Sequence, residues 1–369
     1  MFMLINCSNC RTPLQLPPGA DSIRCAICHS VTLVADPSGF HHRQQQQQHR
    51  PQGGNYYPPP FSPSPYGHAL PGPPPSAHGS KRALICGISY RNTPNELKGC
   101  INDARCMKYL LVNRFRFPES SILMLSEEEA DPLRHPTKHN MRMAMQWLVQ
   151  GCRPGDSLVF HYSGHGSQQR NYTGDEVDGL DETLCPSDFR TQGMIVDDEI
   201  NAVMVRPLTP GVKLHAIVDA CHSGTVLDLP YLCRMDRSGQ YVWVDESPPS
   251  GTWKGTSGGE AICFSGCDDS QTSADTAALS RVTSTGAMTY AFIQAIERGH
   301  GSATYGVLIN EMRATIRNAN TGTGDMDGGL VTSLISMLLT GGPLSTRMKQ
   351  EPQLSSNQQF DVYRKPFSL

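Results

Sequence analysis

Long hydrophobic runs, a strong net charge and a leader-like start are all missing from this 369-residue chain. The longest late apolar stretch, 330–339, is interrupted by Thr and Ser and is too short to span a bilayer. A formal net charge of −3 gives no overall attraction to nucleic acid or to membrane surfaces. A secretory signal requires a basic region before its apolar stretch, and the apolar residues 1–5 have none. We therefore expect a cytoplasmic or nuclear protein without a membrane span.

Cysteine, in contrast, is plentiful, with 13 residues. In a reducing compartment cysteines serve more often as metal ligands or nucleophiles than in disulfides. Two CxxC pairs separated by fourteen residues are typical of one tetrahedral zinc bound by four thiolates. The four predicted zinc ligands are Cys7, Cys10, Cys25 and Cys28. A redox role for the first pair is disfavoured, because no βαβ pattern surrounds it.

The composition divides the chain into a small zinc-finger module, 1–36, a linker, 37–80, and a globular remainder. The linker has a glutamine run and ten prolines between residues 51 and 75, so we expect a disordered, partly polyproline-II segment. The globular part is predicted as a large region, 81–232, a Gly-, Ser- and Pro-rich inter-subunit linker, 233–260, and a small region, 261–369.

Strand and helix patterns alternate through the globular part. Helical periodicity is predicted at 101–115, 141–149, 287–298 and 303–318, and strands at 82–88, 121–125, 157–162, 213–219, 261–265 and 353–363. This rhythm favours an α/β fold, with a mostly parallel β-sheet flanked by helices.

Two apolar runs end in small, glycine-containing turns that carry reactive side chains. One is Phe160-His-Tyr-Ser-Gly-His165-Gly166, and the other is Val218-Asp-Ala-Cys221-His-Ser-Gly224. A cysteine attacks as its thiolate, and a nearby histidine can take the proton. Two parallel strands with these residues at their carboxyl ends would bring them together. His161, which precedes its turn, is interpreted as a packing residue.

These strings resemble the catalytic motifs of metacaspases, which are caspase-like cysteine peptidases. The zinc finger and proline-rich segment before them resemble plant type I metacaspases, whose finger is of the lesion-simulating-disease type. The resemblance implies that Cys221 attacks the scissile carbonyl and His165 transfers the proton, with the N–H groups of Gly166 and Cys221 as oxyanion hole. The finger then implies protein partners, since Arg11 and Arg24 are too few for phosphate-driven nucleic-acid binding.

The expected substrate pocket is acidic. Two carboxylates suit a long cationic side chain, and arginine can pair with one bidentately. The resemblance implies that Asp103 and Asp219 are pocket acids lined by Ser163 and Cys100, with cleavage after Arg or Lys. Asp103 has an alternative interpretation as an acid interacting with a helix N-terminal dipole.

Nine acids and a single base, Arg190, lie between residues 175 and 199. Carboxylates at this density repel one another unless they are solvated or bridged by a hard cation. The spacing is not that of an EF-hand, so a solvated acidic loop is the alternative to a metal site. The resemblance implies a calcium site formed by Asp181, Asp197, Asp198 and Asp228.

The resulting prediction is a calcium-stimulated, monomeric cysteine endopeptidase, made as a zymogen, that acts in programmed cell death or the hypersensitive response. Self-processing after Arg43, Arg50, Lys81 or Arg82 would release the prodomain, and a cut after Arg234, Arg237 or Lys254 would separate the two regions. The alternative is a scaffold in which the zinc finger and the proline-rich arm bind partner proteins. An intact set of Cys221, His165, Asp103 and Asp219 favours the peptidase.

Overall fold

A computed structural model describes residues 80–174, 176, 179–248, 250–268, 287–299, 303–321 and 350–369, together with four short strands between residues 3 and 33. The chain divides into two compact units, 1–67 and 68–369. In the first unit, β1 (Met3–Asn6) pairs with β2 (Pro13–Leu16), and β3 (Ser22–Arg24) pairs with β4 (Val31–Leu33). Both pairs are antiparallel.

Each CxxC pair falls in the segment that joins the two strands of one of these hairpins. The four predicted zinc ligands themselves lie outside the described residues, as do residues 37–79 of the predicted linker, 37–80.

The second unit contains eleven further strands and six helices within the described residues. The strands are β5 (Lys81–Gly87), β6 (Ile122–Ser126), β7 (Ser157–Ser163), β8 (Gly166–Arg170), β9 (Leu180–Leu184), β10 (Ile195–Val196), β11 (Lys213–Asp219), β12 (Tyr231–Met235), β13 (Tyr241–Asp245), β14 (Glu260–Asp268) and β15 (Gln350–Ser356). The helices are α1 (Cys100–Asn113), α2 (Lys138–Val149), α3 (Phe189–Gln192), α4 (Asp197–Ile200), α5 (Ala287–Arg298) and α6 (Tyr305–Thr321). Among the described helices, none combines the length and apolar character needed to cross a membrane.

Eight strands form one central sheet in the order β13-β12-β15-β14-β11-β7-β5-β6. The five strands from β14 to β6 are parallel, and the three at the other edge are antiparallel. The predicted α/β class with a mostly parallel sheet is therefore confirmed. A separate three-stranded antiparallel sheet contains β8, β9 and β10.

Both faces of the central sheet are covered by helices. Strand β5 shows why: Leu84 and Cys86 belong to the core that includes α2, whereas Ala83 and Ile85 belong to the core that includes α1, α5 and α6. Alternate side chains of a strand point to opposite faces, so a strand buried on both sides is apolar throughout. This explains the continuous apolar runs in the sequence.

The predicted inter-subunit linker, 233–260, is partly ordered into the sheet. It contributes most of β12 and all of β13. Two candidate processing positions also lie inside the fold, because Lys81 and Arg82 begin β5, which has β7 and β6 as neighbours. The Arg82 side chain is fully buried and donates to the carbonyl oxygen of Gln150 at 2.7 Å. A protease cannot extend this segment without opening the sheet, so the expectation of cleavage at these two positions is corrected.

Candidate active site

The two reactive strings lie side by side. Strands β7 and β11 are parallel neighbours, and their last residues, Ser163 and Asp219, are directly paired. The N–H of Gly164 donates to the carbonyl oxygen of Asp219 at 3.3 Å. His165 and Cys221 therefore each follow the end of a strand by two residues, at the same edge of the sheet. The predicted arrangement of the two strands is confirmed.

Gly166 brings the backbone of the first string against the second. A Cβ atom added at this position would lie 2.0 Å from the carbonyl oxygen of Cys221 and 3.2 Å from the Cβ of Ala220. No side chain fits in that space, so glycine is required for steric reasons. The residue after His165 is thus in direct contact with the main chain of the cysteine.

His165 is buried and held through both its ring and its backbone. Its Nε2 lies 2.8 Å from the carbonyl oxygen of Asn95, and its N–H donates to the Tyr90 hydroxyl at 3.0 Å. Burial lowers the pKa of His165, and the Asn95 carbonyl opposes this effect. Because a carbonyl only accepts, the hydrogen bond assigns the ring proton to Nε2 and leaves Nδ1 as the basic nitrogen.

Two buried tyrosines hold the main chain around His165. The Tyr90 hydroxyl donates to the carbonyl oxygen of Cys185 at 2.6 Å. The Tyr162 hydroxyl lies 3.2 Å from the Tyr90 hydroxyl. The Tyr162 hydroxyl in turn lies 2.8 Å from the carbonyl oxygen of His165. Burial raises the pKa of both tyrosines, so they stay neutral. Sequence reasoning missed Tyr90 and Asn95, because Asn95 acts through its backbone and no motif marks Tyr90.

Cys221 differs from most other described cysteines in its exposure. Its side chain is half-buried, whereas Cys86, Cys185 and Cys263 are buried. Burial raises the pKa of Cys185 and that of Cys263 to about 12, which keeps those thiols protonated. The half-buried Cys152 also has a pKa raised mainly by burial. Location and exposure together therefore single out Cys221 as the candidate nucleophile.

The turn after Cys221 is held to the sheet by Ser223. The buried Ser223 hydroxyl lies 2.9 Å from the carbonyl oxygen of Ala220 and 2.7 Å from that of Gly266 on β14. His222 adopts φ 50°, a left-handed conformation that is uncommon for residues other than glycine. The hydrogen bonds of Ser223 therefore fix the backbone of the turn that follows Cys221.

The predicted pocket residues also come together. Asp103 lies in the first turn of α1, which begins at Cys100, and its Oδ2 accepts a 2.7 Å hydrogen bond from Ser163. Asp103 and Asp219 are both buried. Burial first, and the Asp219 charge second, raise the pKa of Asp103, against the Ser163 hydrogen bond. Asp103 is thus an acid in the first turn of a helix, and it also lies close to a second carboxylate, that of Asp219.

The acids predicted to bind calcium each have a protein partner. Asp181 accepts hydrogen bonds from Asn171 and, at 3.2 Å, from Gln169. Asp197 accepts from the N–H groups of Glu182 and Asp198, both at 2.8 Å. Burial, and next the Glu182 charge, raise the pKa of Asp197 to about 9.

A lysine forms ion pairs with two acids beside this cluster. The Lys254 ammonium pairs with Asp228 at 2.5 Å and with Glu176, and only 3% of its side chain is exposed. The Asn201 amide donates to the carbonyl oxygens of Asp228 and Lys254, at 2.9 and 3.1 Å. Sequence reasoning treated Lys254 only as a cleavage position, because nothing local links it to Glu176.

The donor chemistry of the acids fits calcium, since all are oxygen ligands; burial first, and the charges of Glu182 and Asp228 next, raise the pKa of Asp197. Within the described residues, however, no three His, Cys, Asp or Glu side chains are arranged to hold a metal ion. Calcium binding would require Asp228 to exchange Lys254 for the metal.

Comparison with known proteins agrees with the geometry. The family model described as metacaspase, peptidase C14 domain, matches residues 81–230, and the LSD1 zinc finger model matches residues 7–31. Metacaspase-1 of Arabidopsis thaliana is 66% identical over 100% of this chain and 96% of its own length. Metacaspase-2 of the same plant is 55% identical over the whole of both chains.

Among solved structures, a Geobacter sulfurreducens protein aligns with a TM-score of 0.46 and 20% identity, over 78% of this chain and 98% of its own. A likeness of this size carries no information about activity. The full-length relatives and the two family models are informative about activity, because their matches cover both the zinc finger and the strands that carry His165 and Cys221. The chain therefore belongs to the metacaspases, a family of cysteine peptidases, and has the zinc-finger-first organisation of the plant type I members.

Proposed function

We propose that the protein is an endopeptidase that cleaves peptide bonds after Arg or Lys, with Cys221 as nucleophile and His165 as its proton acceptor. The observation that carries the specificity is the pair of buried carboxyl groups, Asp219 at the end of β11 and Asp103 in the first turn of α1. Two carboxyl groups in mutual repulsion favour a bound cation. A guanidinium or ammonium group at the residue before the scissile bond supplies that charge, and an aspartate side chain would add to the repulsion.

The proposed chemistry uses His165 Nδ1, the ring nitrogen that the hydrogen bond from Nε2 to the Asn95 carbonyl leaves basic. His165 Nδ1 takes the proton from Cys221 Sγ, and the thiolate attacks the scissile carbonyl carbon. The N–H groups of Gly166 and Cys221 stabilise the oxyanion. The C–N bond then breaks as His165 returns the proton to the leaving amine. The acyl part of the substrate stays bound to Cys221 Sγ as a thioester. Water, deprotonated by His165, hydrolyses the thioester and releases the thiolate.

The test compares fluorogenic peptides that end in Arg, Lys or Asp, with purified full-length protein in the presence of calcium. We expect cleavage of the first two, and loss of this activity in Cys221→Ala and His165→Ala. Cys152→Ala is the matched control, because Cys152 is half-buried like Cys221. This variant should retain activity. Preferential cleavage of the Asp peptide would contradict the proposal.

Calcium stimulation is part of the proposal. Asp181, Asp197, Asp198 and Asp228 would hold the ion, and its positive charge would stabilise the ionised form of Asp197, which burial and neighbouring acids disfavour. Asp228 lies seven residues after Cys221, so its release from Lys254 would change the segment that follows the nucleophile. Calorimetric titration of calcium should show binding that Asp197→Asn weakens. Full activity in excess chelator would contradict the role of the ion.

Self-processing is supported best at Arg237. This residue is exposed in the turn between β12 and β13, where a peptide segment can enter an active site. Lys254 is almost fully buried, and Arg43 and Arg50 lie outside the described residues. In the protein incubated with calcium, mass spectrometry should find a cut after Arg237. A Cys221→Ala protein should remain intact, and cleavage of that purified variant would exclude self-processing.

We further propose that the zinc finger and proline-rich arm bind partner proteins, with zinc held by Cys7, Cys10, Cys25 and Cys28, and that the cellular role is regulated cell death, including the hypersensitive response, in the cytoplasm or nucleus. The family membership supports this role. Wild-type and Cys221→Ala protein, expressed in plant cells that lack the endogenous enzyme, would separate a proteolytic role from a scaffold role. A Cys221→Ala protein that restores the wild-type response would favour the scaffold.

A further inference from the structure

Helix α5 begins directly beside a pocket acid. Thr289, its third residue, donates its N–H to Asp219 Oδ2 at 2.7 Å. The first N–H groups of a helix have no acceptor within the helix, so this donor is available for the carboxylate. The partial positive charge at the helix N-terminus also favours the ionised form of Asp219. The two residues are 70 positions apart in sequence, which is why no motif links them.

The side chain of Thr289 makes a second contact. Its hydroxyl lies 3.0 Å from His161 Nε2, and both side chains are fully buried. His161 lies on β7 and pairs with Ile217 of β11, two residues before Asp219. Burial lowers the pKa of His161 to about 3, so the ring stays neutral at physiological pH. Thr289 thus joins a residue inside the central sheet to the carboxylate at its end.

A carboxylate in this position needs such a connection. Asp219 is fully buried and lies close to Asp103, whose pKa is raised first by burial and next by the Asp219 charge. Repulsion between them favours rotation of one carboxyl group away from the pocket or the uptake of a proton. The hydrogen bond from Thr289 opposes both outcomes, because it fixes one oxygen and stabilises the charge. His161 fixes Thr289 by its hydroxyl.

We propose that Thr289 and His161 are positioning residues of the substrate pocket, which hold Asp219 charged and oriented for a cationic substrate side chain. This inference rests on the proposed preference for Arg and Lys. It assigns His161 a function beyond the packing role expected from the sequence. Neither residue touches the substrate, so their effect is expected on substrate binding and not on bond cleavage.

The test measures kcat and KM for an Arg-ended fluorogenic peptide in wild type, Thr289→Val and Thr289→Ser. Valine keeps the shape of the side chain and removes the hydroxyl, whereas serine keeps the hydroxyl. The loss of one hydrogen bond corresponds to roughly a fivefold rise in KM, with kcat nearly unchanged. Serine should restore the wild-type KM. Active-site titration with an irreversible inhibitor corrects for any unfolded fraction, so a purely structural role would leave KM unchanged.

His161→Phe provides a second, independent variant. Because His161 acts through Thr289, His161→Phe and the double variant with Thr289→Val should show the same rise in KM as Thr289→Val alone.

The outcomes separate the two proposals. If the wild type cleaves the Arg peptide and Thr289→Val has an unchanged KM, or a reduced kcat only, the positioning role is overturned and the proposed specificity stands. Additive effects of the two substitutions would also overturn it. If the wild type prefers the Asp peptide, the proposed specificity fails and the positioning role falls with it.

Discussion

Replacing Tyr90 with phenylalanine removes one oxygen atom from the site beside the catalytic histidine. That oxygen accepts the N–H of His165 at 3.0 Å and donates to the carbonyl oxygen of Cys185 at 2.6 Å. The Cys185 carbonyl keeps a second donor, the Tyr162 hydroxyl at 3.1 Å. The N–H of His165 loses its hydroxyl acceptor in a buried position. The net effect of Tyr90→Phe is therefore one unsatisfied donor next to the site.

The magnitude follows from this count. An unsatisfied buried donor costs about 1–3 kcal/mol, so the free energy of unfolding should fall by that amount. His165 would also be held less firmly. We expect kcat to fall roughly tenfold, which corresponds to about 1.4 kcal/mol on the activation barrier. KM should change less, because Tyr90 is not among the proposed pocket residues.

Urea unfolding, followed by tryptophan fluorescence and extrapolated to zero denaturant, measures the first effect. Assays with the Arg-ended peptide measure the second. Tyr172→Phe is the matched control, because the side chain of Tyr172 is 86% exposed and its free energy of unfolding should stay within about 0.5 kcal/mol of wild type. A Tyr90→Phe protein with wild-type stability and wild-type kcat would refute the reasoning.

Two further predictions concern the acid cluster. Lys254→Met leaves the carboxylates of Asp228 and Glu176 without their ammonium partner, so in chelator its free energy of unfolding should be lower than wild type by about 3–5 kcal/mol; a loss below about 1 kcal/mol would contradict the buried ion pairs. Burial first, and the Glu182 charge second, raise the pKa of Asp197 to about 9. The folded state therefore keeps protons that the unfolded chain releases, and stability in chelator should decrease from about pH 4 to about pH 9. Urea unfolding at several pH values checks this, and Asp197→Asn should flatten the decrease; a rise in wild-type stability over that range would be inconsistent with it.

The strands that carry the reactive residues could be predicted because each is mostly apolar and is followed by a glycine-containing turn. Strands β7 and β11 show this pattern, and parallel pairing then brings their ends together. The same reasoning missed β12 and β13, since each has five residues and both occur among turn-forming Gly, Ser and Pro.

The partners of the site residues could not be predicted, for two physical reasons. Asn95 contacts His165 through a backbone carbonyl, and every residue has one. Thr289 contacts Asp219 across 70 positions, so only the packing of α5 on the sheet brings them together. Lys254 and Glu176 are likewise separated by 78 positions. Local patterns indicate which residues are reactive, whereas tertiary packing determines what holds them.

The strand order has a consequence for a molecule cut after Arg237. The amino-terminal fragment would contain β11 and β12, and the carboxyl-terminal fragment would contain β13, β14 and β15. In the sheet, β15 and β14 lie between β12 and β11, while β12 lies between β13 and β15. The two fragments are thus interleaved, and separating them would require breaking the hydrogen bonds on both sides of β12 and those between β14 and β11. Such a nicked protein would run as two bands under denaturing conditions and migrate as a single particle in native buffer.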